Sequence, residues 1–244
     1  MSSCQAVIFD YIGTLVCPRN YDMDASKEKL YNALVHSGFN VGKESFLEAY
    51  SQAHEKYRII RYEQFREITN AVWVTETLKN LGFNVSENDS RIKEALNVFF
   101  KDFVDTLTLR PNAKKIIAHS KLNFKLGLIS NFTYAPVIYA SLKKVGINEF
   151  FNVVVVSHEN GWRKPSKHIF QEALTKLQVD AGKAVFVGDS PIEDIRGAKE
   201  AGLRTVFIPS KFNSLKDLYE SMQKPDFVCK NLKEFQVNFD RIVR

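Results

Sequence analysis

Residues 5–15 read Gln5-Ala6-Val7-Ile8-Phe9-Asp10-Tyr11-Ile12-Gly13-Thr14-Leu15. The run Ala6–Phe9 is apolar without alternation and has the length of a buried strand. It stops at a carboxylate, Asp10, and Gly13 follows as a residue free to take positive φ, so the chain can turn sharply there. A carboxylate at the carboxyl end of a strand, beside a tight turn, sits on the edge where open α/β sheets place their ligands. The plain alternative is a strand that ends at a polar residue before a loop. The remainder of the chain decides between the two.

Working outward, residues 16–108 carry helical periodicity and no convincing alternating strand. Val16 to Asn20 reads as loop. Leu30, Ala33 and Leu34 mark one apolar face that Gly38 ends. Phe46, Leu47, Tyr50, Ala53 and Tyr57 mark a second helix from residue 43. A third is predicted over 62–81 and a fourth over 90–107, the latter carrying Ile92, Leu96, Phe99, Phe100 and Phe103. From residue 109 the rhythm becomes strand, helix, strand. Residues 124–130, 152–157, 183–188 and 204–209 are β-branched, two-face-apolar runs separated by helical segments, and 226–229 is a short last strand. Such a series predicts a parallel sheet covered by helices on both faces. The expected fold is therefore α/β, a Rossmann-like doubly wound parallel sheet core formed by 1–15 and 109–244. An α-helical cap formed by 16–108 is inserted after the first strand.

The 244 residues are 45% hydrophobic, enough for a large core, and carry a net charge of +6. That excess is compatible with anionic ligands, but no basic tail or DNA-binding pattern accompanies it, so no nucleic-acid partner is expected. No run approaches the ~18 apolar residues that span a bilayer, and the N-terminus lacks a signal-peptide pattern. The three cysteines, Cys4, Cys17 and Cys229, form no paired framework, which fits a reducing cytoplasm.

Parallel strands bring their carboxyl ends to one edge, so Asp10, Ser130-Asn131, Ser157 and Asp189 are expected to converge there, with Lys164 close by after the third. Two carboxylates, Asp10 and Asp189, suit a hard divalent cation such as Mg²⁺. Lys164 and the cation would neutralise an anionic group, Ser130 would donate to it, and Asp10 could attack it. That set fits phosphoryl transfer, where catalysis is mostly positioning and charge stabilisation. Each residue alone has a plainer role as a strand-end or loop group. Ser190-Pro191-Ile192-Glu193 is already a complete helix start, which makes Ser190 and Glu193 structural. Arg163 and Arg196 read as solvated, Trp162 as packing beside the third strand, and His54, Arg58, Arg61 and Tyr62 as helix-surface residues that could face a substrate.

The chain resembles the haloacid dehalogenase-like hydrolase superfamily, in its branch with a helical cap after the first strand. The resemblance rests on four motifs in order: Asp10-Tyr11-Ile12-Gly13-Thr14, Ser130 before Asn131, Lys164-Pro165, and Gly188-Asp189-Ser190 to Asp194 followed by Gly197-Ala198. It implies that Asp10 forms an aspartyl-phosphate and that Ser130, Asn131 and Lys164 bind the substrate. It further implies that Asp10, the Ile12 backbone carbonyl and Asp189 hold Mg²⁺, and that Asp194 supports Lys164 or a metal-bound water. The implied substrate is a small phosphorylated metabolite. The family's phosphatases carry a second Asp where this chain has Ile12. That residue protonates the leaving group, a service typically worth ~10²–10⁴-fold in rate. The expected activity is thus a slow or specialised phosphomonoesterase. The alternatives are a 2-haloacid dehalogenase, a phosphonatase, and a catalytically silent member that binds a phosphorylated ligand. Dehalogenases also lack the second Asp but typically replace the Gly-Asp-Ser motif kept here.

Overall fold

The computed structural model describes residues 4–244. In strand β1 (Ala6–Phe9) all four residues are fully buried, and the pleat sends them to two different layers. Val7 and Phe9 join a core with Ile116, Leu126, Ile138 and Phe235, whereas Ala6 and Ile8 join one with Ile169, Phe170, Ala173 and Phe186. A strand buried on both faces has no reason to alternate, which is why the run is uniformly apolar.

The chain then forms a short strand, β2 (Val16–Pro18), and four helices: α1 (Met23–His36), α2 (Lys43–Glu63), α3 (Asn70–Asn80) and α4 (Ser90–Thr106). It returns through β3 (Leu107–Leu109), which pairs antiparallel with β2 so that Pro18 faces Leu107. The two strands of this ribbon lie where the sequence predicted loop and helix; three-residue strands are too short to show alternation. The helices have their own apolar centre, built on Leu34, Phe46, Trp73, Leu78, Leu96 and Phe99.

The predicted helix over 62–81 is two pieces. Helix α2 runs on to Glu63, and α3 begins only at Asn70. Between them Phe65 adopts φ 55°, and the backbone of 65–67 bonds outside the helical block. The Glu67 amide donates to the Gly161 carbonyl and the Arg163 amide donates to the Phe65 carbonyl, both at 3.0 Å. Groups engaged there cannot continue an i→i−4 ladder.

The rest of the chain is α5 (Ala113–Lys121), β4 (Lys125–Ser130), α6 (Ala135–Lys144), β5 (Val153–Val156), α7 (Ser157–Asn160), α8 (Lys167–Leu177) and β6 (Ala184–Gly188). A π-turn over Pro191–Arg196 leads into α9 (Gly197–Glu200), followed by β7 (Arg204–Phe207), α10 (Leu215–Glu220), β8 (Phe227–Val228), α11 (Leu232–Val237) and α12 (Phe239–Val243). The six main strands form one parallel sheet in the order β5-β4-β1-β6-β7-β8. The order reverses around β1, which has β4 on one side and β6 on the other; ligands of such sheets bind in the crevice at this point. Helices α11 and α12 were not foreseen. Each is short, and they exist because Phe235, Phe239 and Ile242 cover the sheet face beneath β1. No helix among the described residues is long and apolar enough to cross a membrane.

Candidate active site

Asp10 continues β1, and its amide donates to the Val187 carbonyl at 2.9 Å, so its side chain emerges at the carboxyl edge between β4 and β6. Lys164 rises beneath it from the loop after α7. The Lys164 side chain is 1% exposed, and its ammonium donates to Asp10 Oδ1 (2.7 Å), Asp194 Oδ1 (2.6 Å) and the Ile129 carbonyl (3.2 Å). All three of its protons are thereby used. Burial alone would lower its pKa, but the facing carboxylates of Asp10 and Asp194 outweigh that and raise it. Asp10 Oδ2 is buried and has no hydrogen-bond partner.

Asp189, directly after β6, and Asp194, in the π-turn that follows, are the other two acids. Asp194 Oδ2 accepts from the amides of Asp189 (3.0 Å) and Ser190 (2.8 Å), so both its oxygens are engaged. Asp189 Oδ1 accepts from Thr14 Oγ1 at 3.3 Å, and its Oδ2 accepts from Ser210 Oγ (2.5 Å) and Asn213 Nδ2 (3.1 Å). Gly13 has to be glycine on two counts. Its φ is +107°, and a Cβ there would lie 2.5 Å from Asp189 Oδ2. Ser190 caps the π-turn by accepting from the Glu193 amide at 3.1 Å, as its helix-start pattern predicted.

The three carboxylates of Asp10, Asp189 and Asp194 present oxygens within 4.8 Å of one another. Against them stands one ammonium in direct contact, which leaves an excess of negative charge. Burial, followed by the neighbouring Asp10 charge, pushes the Asp189 carboxyl up to about 6. Burial likewise pushes Asp194 up, against the pull of Lys164. Hard oxygen donors and surplus negative charge together fit a divalent cation. All three acids line the open cleft; Asp189 accepts only from neutral hydroxyl and amide groups, while Asp194 is tied to the Lys164 ammonium and to the turn.

The cleft itself, about 1820 Å³, runs between the carboxyl edge of the sheet and the helical block. Asp10, Ile12, Ser130, Asn131, Asp189 and Asp194 all line it, so the scattered residues picked from the sequence do share one place. Two sit differently from expectation. Lys164, expected at the phosphoryl oxygens, lies behind Asp10 rather than in the open cleft. Asn131, expected to touch substrate, has both ends of its amide on the Lys164 main chain, accepting from its N–H (2.7 Å) and donating to its carbonyl (2.9 Å). Ser157, although it follows β5, is buried away from the cleft and donates to Glu67 at 2.5 Å.

Other residues were misread or missed. Arg163 is not solvated: it is 4% exposed and pairs with Glu193 at 2.8 Å, with Glu67 at 4.0 Å. Glu67, fully buried, also pairs with Arg61 at 2.6 Å. Trp162 stacks on His168 with centroids 4.3 Å apart, and the Arg66 guanidinium lies over the Trp162 ring, 4.2 Å from its centroid. Of the helix-surface candidates, His54, Arg61 and Tyr62 line the cleft, while Arg58 pairs with Glu55 on the outside. Arg110 was not singled out at all. Its guanidinium donates to the carbonyls of Gly13, Thr14 and Pro209, tying the Asp10 turn to the loop that holds Asp189. Nothing in its local sequence marks that role; only the topology brings those segments together.

A family model described as haloacid dehalogenase-like hydrolase matches residues 4–202. The chain is similar to glyceraldehyde 3-phosphate phosphatase of Methanothermobacter thermautotrophicus, 32% identical over 85% of this chain and 86% of that protein. The likeness to the enzyme of the same name from Methanopyrus kandleri is 43% but spans only 36% of this chain and 37% of that protein. Among solved structures, 2-haloacid dehalogenase from Pseudomonas syringae superposes with a TM-score of 0.70 at 22% identity, covering 98% of this chain and 99% of that one. At that identity the likeness concerns the fold.

Proposed function

Since the chain belongs to the haloacid dehalogenase-like hydrolases, we propose that it is a Mg²⁺-dependent phosphomonoesterase working through Asp10. The observation that carries this reading is the state of Asp10: Oδ1 is neutralised by Lys164, while Oδ2 is buried, unpartnered and at the cleft. A carboxylate oxygen held free of hydrogen bonds keeps its nucleophilic lone pairs available. Lys164 stands as the counter-charge of Asp10 and fixes its rotamer. Asp194 in turn anchors Lys164 and, through the amides of Asp189 and Ser190, fixes the turn that carries Asp189. Ser130 stands at the end of the neighbouring strand, where its hydroxyl would donate to a phosphoryl oxygen. Mg²⁺, held by Asp10, Asp189 and the Ile12 carbonyl, would supply positive charge against the phosphoryl group. The helical block would act as the cap that closes the cleft and selects a small phosphorylated substrate.

The name of the relative matched over most of the chain supports phosphatase chemistry. Carbon–halogen hydrolysis has the absence of an acid at Ile12 and the fold likeness in its favour, but it leaves the buried Asp189 clamp without a purpose. Phosphate release from p-nitrophenyl phosphate tests the reading. Turnover should need Mg²⁺ and vanish both with chelator and in Asp10→Asn. Chelator-insensitive dechlorination of 2-chloropropionate would replace the reading with the dehalogenase one.

A further inference from the structure

The stretch of cleft wall that carries Ile12 is apolar. Ile12 is half-buried, lines the cleft and offers no proton. Beside it, Phe132 follows Ser130-Asn131 on the core side, and Phe103 reaches over from α4; both are half-buried, line the cleft and pack into the same cluster as Ile12. Their rings stack with centroids 5.5 Å apart and planes 25° apart. Tyr21 meets the edge of Phe103 at 4.9 Å, and Phe100 meets Phe132 at 5.5 Å. An aromatic wall therefore runs from the hinge of the helical block to the loop next to the phosphoryl site. At the mouth, Tyr62 and Phe212 remain 51% and 50% exposed although they line the same cleft.

Resting on the phosphomonoesterase reading, we propose that the substrates are aryl phosphate monoesters, with the phosphoryl group at Asp10 and the ring against Phe132 and Phe103. Two independent features converge on this class. The first is chemical. With Ile12 in place of an acid, the oxygen must leave as an anion. A phenol, with a pKa of about 10 like that of tyrosine, tolerates this. An alkyl alcohol, close to water at about 16, does not. The second is steric: offset and edge-on ring contacts favour an aromatic guest over a polyol.

The step balances without further reagents. Asp10 Oδ2 forms a bond to phosphorus as the phosphorus–aryl oxygen bond breaks, and the bonding pair departs on the aryl oxygen. That oxide takes its proton from water. A second water then attacks the phosphorus of the aspartyl-phosphate, the bond to Oδ2 breaks, and the carboxylate is restored as hydrogen phosphate and a proton are released.

Binding and turnover test the assignment separately. By calorimetry with Mg²⁺ present, phenylphosphonate should bind at least 10-fold more tightly than methylphosphonate. That ratio should shrink below 3-fold in Phe132→Ala, and in Phe103→Leu should the first variant fold poorly. In turnover, kcat/KM for phenyl phosphate should exceed that for glycerol 3-phosphate by at least 10²-fold. Equal phosphonate affinities, or a ratio that survives both substitutions, would overturn the aryl pocket. Comparable turnover of the two esters would overturn the aryl class while the phosphomonoesterase reading stood. No phosphate from any ester would remove both.

Discussion

Lys164 Nζ lies 2.7 Å from Asp10 Oδ1, and the lysine that makes this contact is 1% exposed. The ammonium is the direct counter-charge of two buried carboxylates, because Asp194 Oδ1 lies 2.6 Å away on its other side. Lys164→Met keeps the side-chain length and removes the charge. It should destabilise the fold by about 3–5 kcal/mol, the usual cost of leaving a buried partner unpaired. Urea denaturation reads this as a lower midpoint at constant slope. A wild-type midpoint would mean that the carboxylates are stable without the ammonium.

Glu67 tests how the helical block is fastened to the sheet. Its carboxylate is fully buried and meets Arg61 at 2.6 Å and Ser157 at 2.5 Å. Glu67→Ala would strand Arg61 and leave Arg163 with Glu193 alone, and a loss of about 3 kcal/mol is expected. The loosening should be concentrated at the seam, so amide exchange should accelerate over 64–70 and 161–163 before it does in β1. Uniform acceleration across the sheet would contradict a local fastening.

The acidic cluster makes cation binding depend on pH. Asp189 is pushed up to about 6 from an ordinary 3.8, so below that pH it holds a proton that a cation has to displace. Affinity for Mg²⁺ should therefore rise with pH and level off above about 7. The stability of the cation-free protein runs the other way. A carboxyl whose folded pKa is raised favours the folded state while protonated, and that contribution is lost as pH climbs from about 4 through 6. The increase in Tm on adding Mg²⁺ should accordingly be larger at pH 8 than at pH 5. A pH-independent increase would mean that Asp189 is not a ligand.

Ile12→Asp should restore a proton donor at the leaving group. The kcat/KM for alkyl phosphates should rise by about 10²-fold or more, within the usual worth of general acid catalysis, while the kcat/KM for p-nitrophenyl phosphate, set by the first step, changes little. The wild-type enzyme should also show a burst of p-nitrophenolate, because water attack on the aspartyl-phosphate lacks the same group as a base. An unchanged alkyl rate would point to another acid already serving.

Much of the sheet was legible because buried parallel strands need apolar residues on both faces, and that signal is local. The edge gathering of Asp10, Ser130 and Asp189 followed from topology, since parallel strands end together. The third helix differs from expectation for a reason no periodicity carries: residues 65–67 bond across to 161–163, over sequence gaps of 94 and 98 residues. Arg163 looked like a surface cation because its two acidic partners, Glu67 and Glu193, come from distant segments. Ser210 and Asn213, which hold Asp189 from the loop after β7, have no pattern of their own. The readable residues are those whose role is set by their own strand; the unreadable ones act through a partner that folding delivers.

The β2–β3 ribbon has an evolutionary reach. The outgoing and returning threads are zipped together, with Pro18 facing Leu107, so the segment 19–106 leaves the sheet and rejoins it at adjoining points. Such an appendage can be lengthened, traded or deleted as a cassette while the strand that bears Asp10 keeps its neighbours. On the function proposed above, substrate choice could then drift while Asp10 stays where it is.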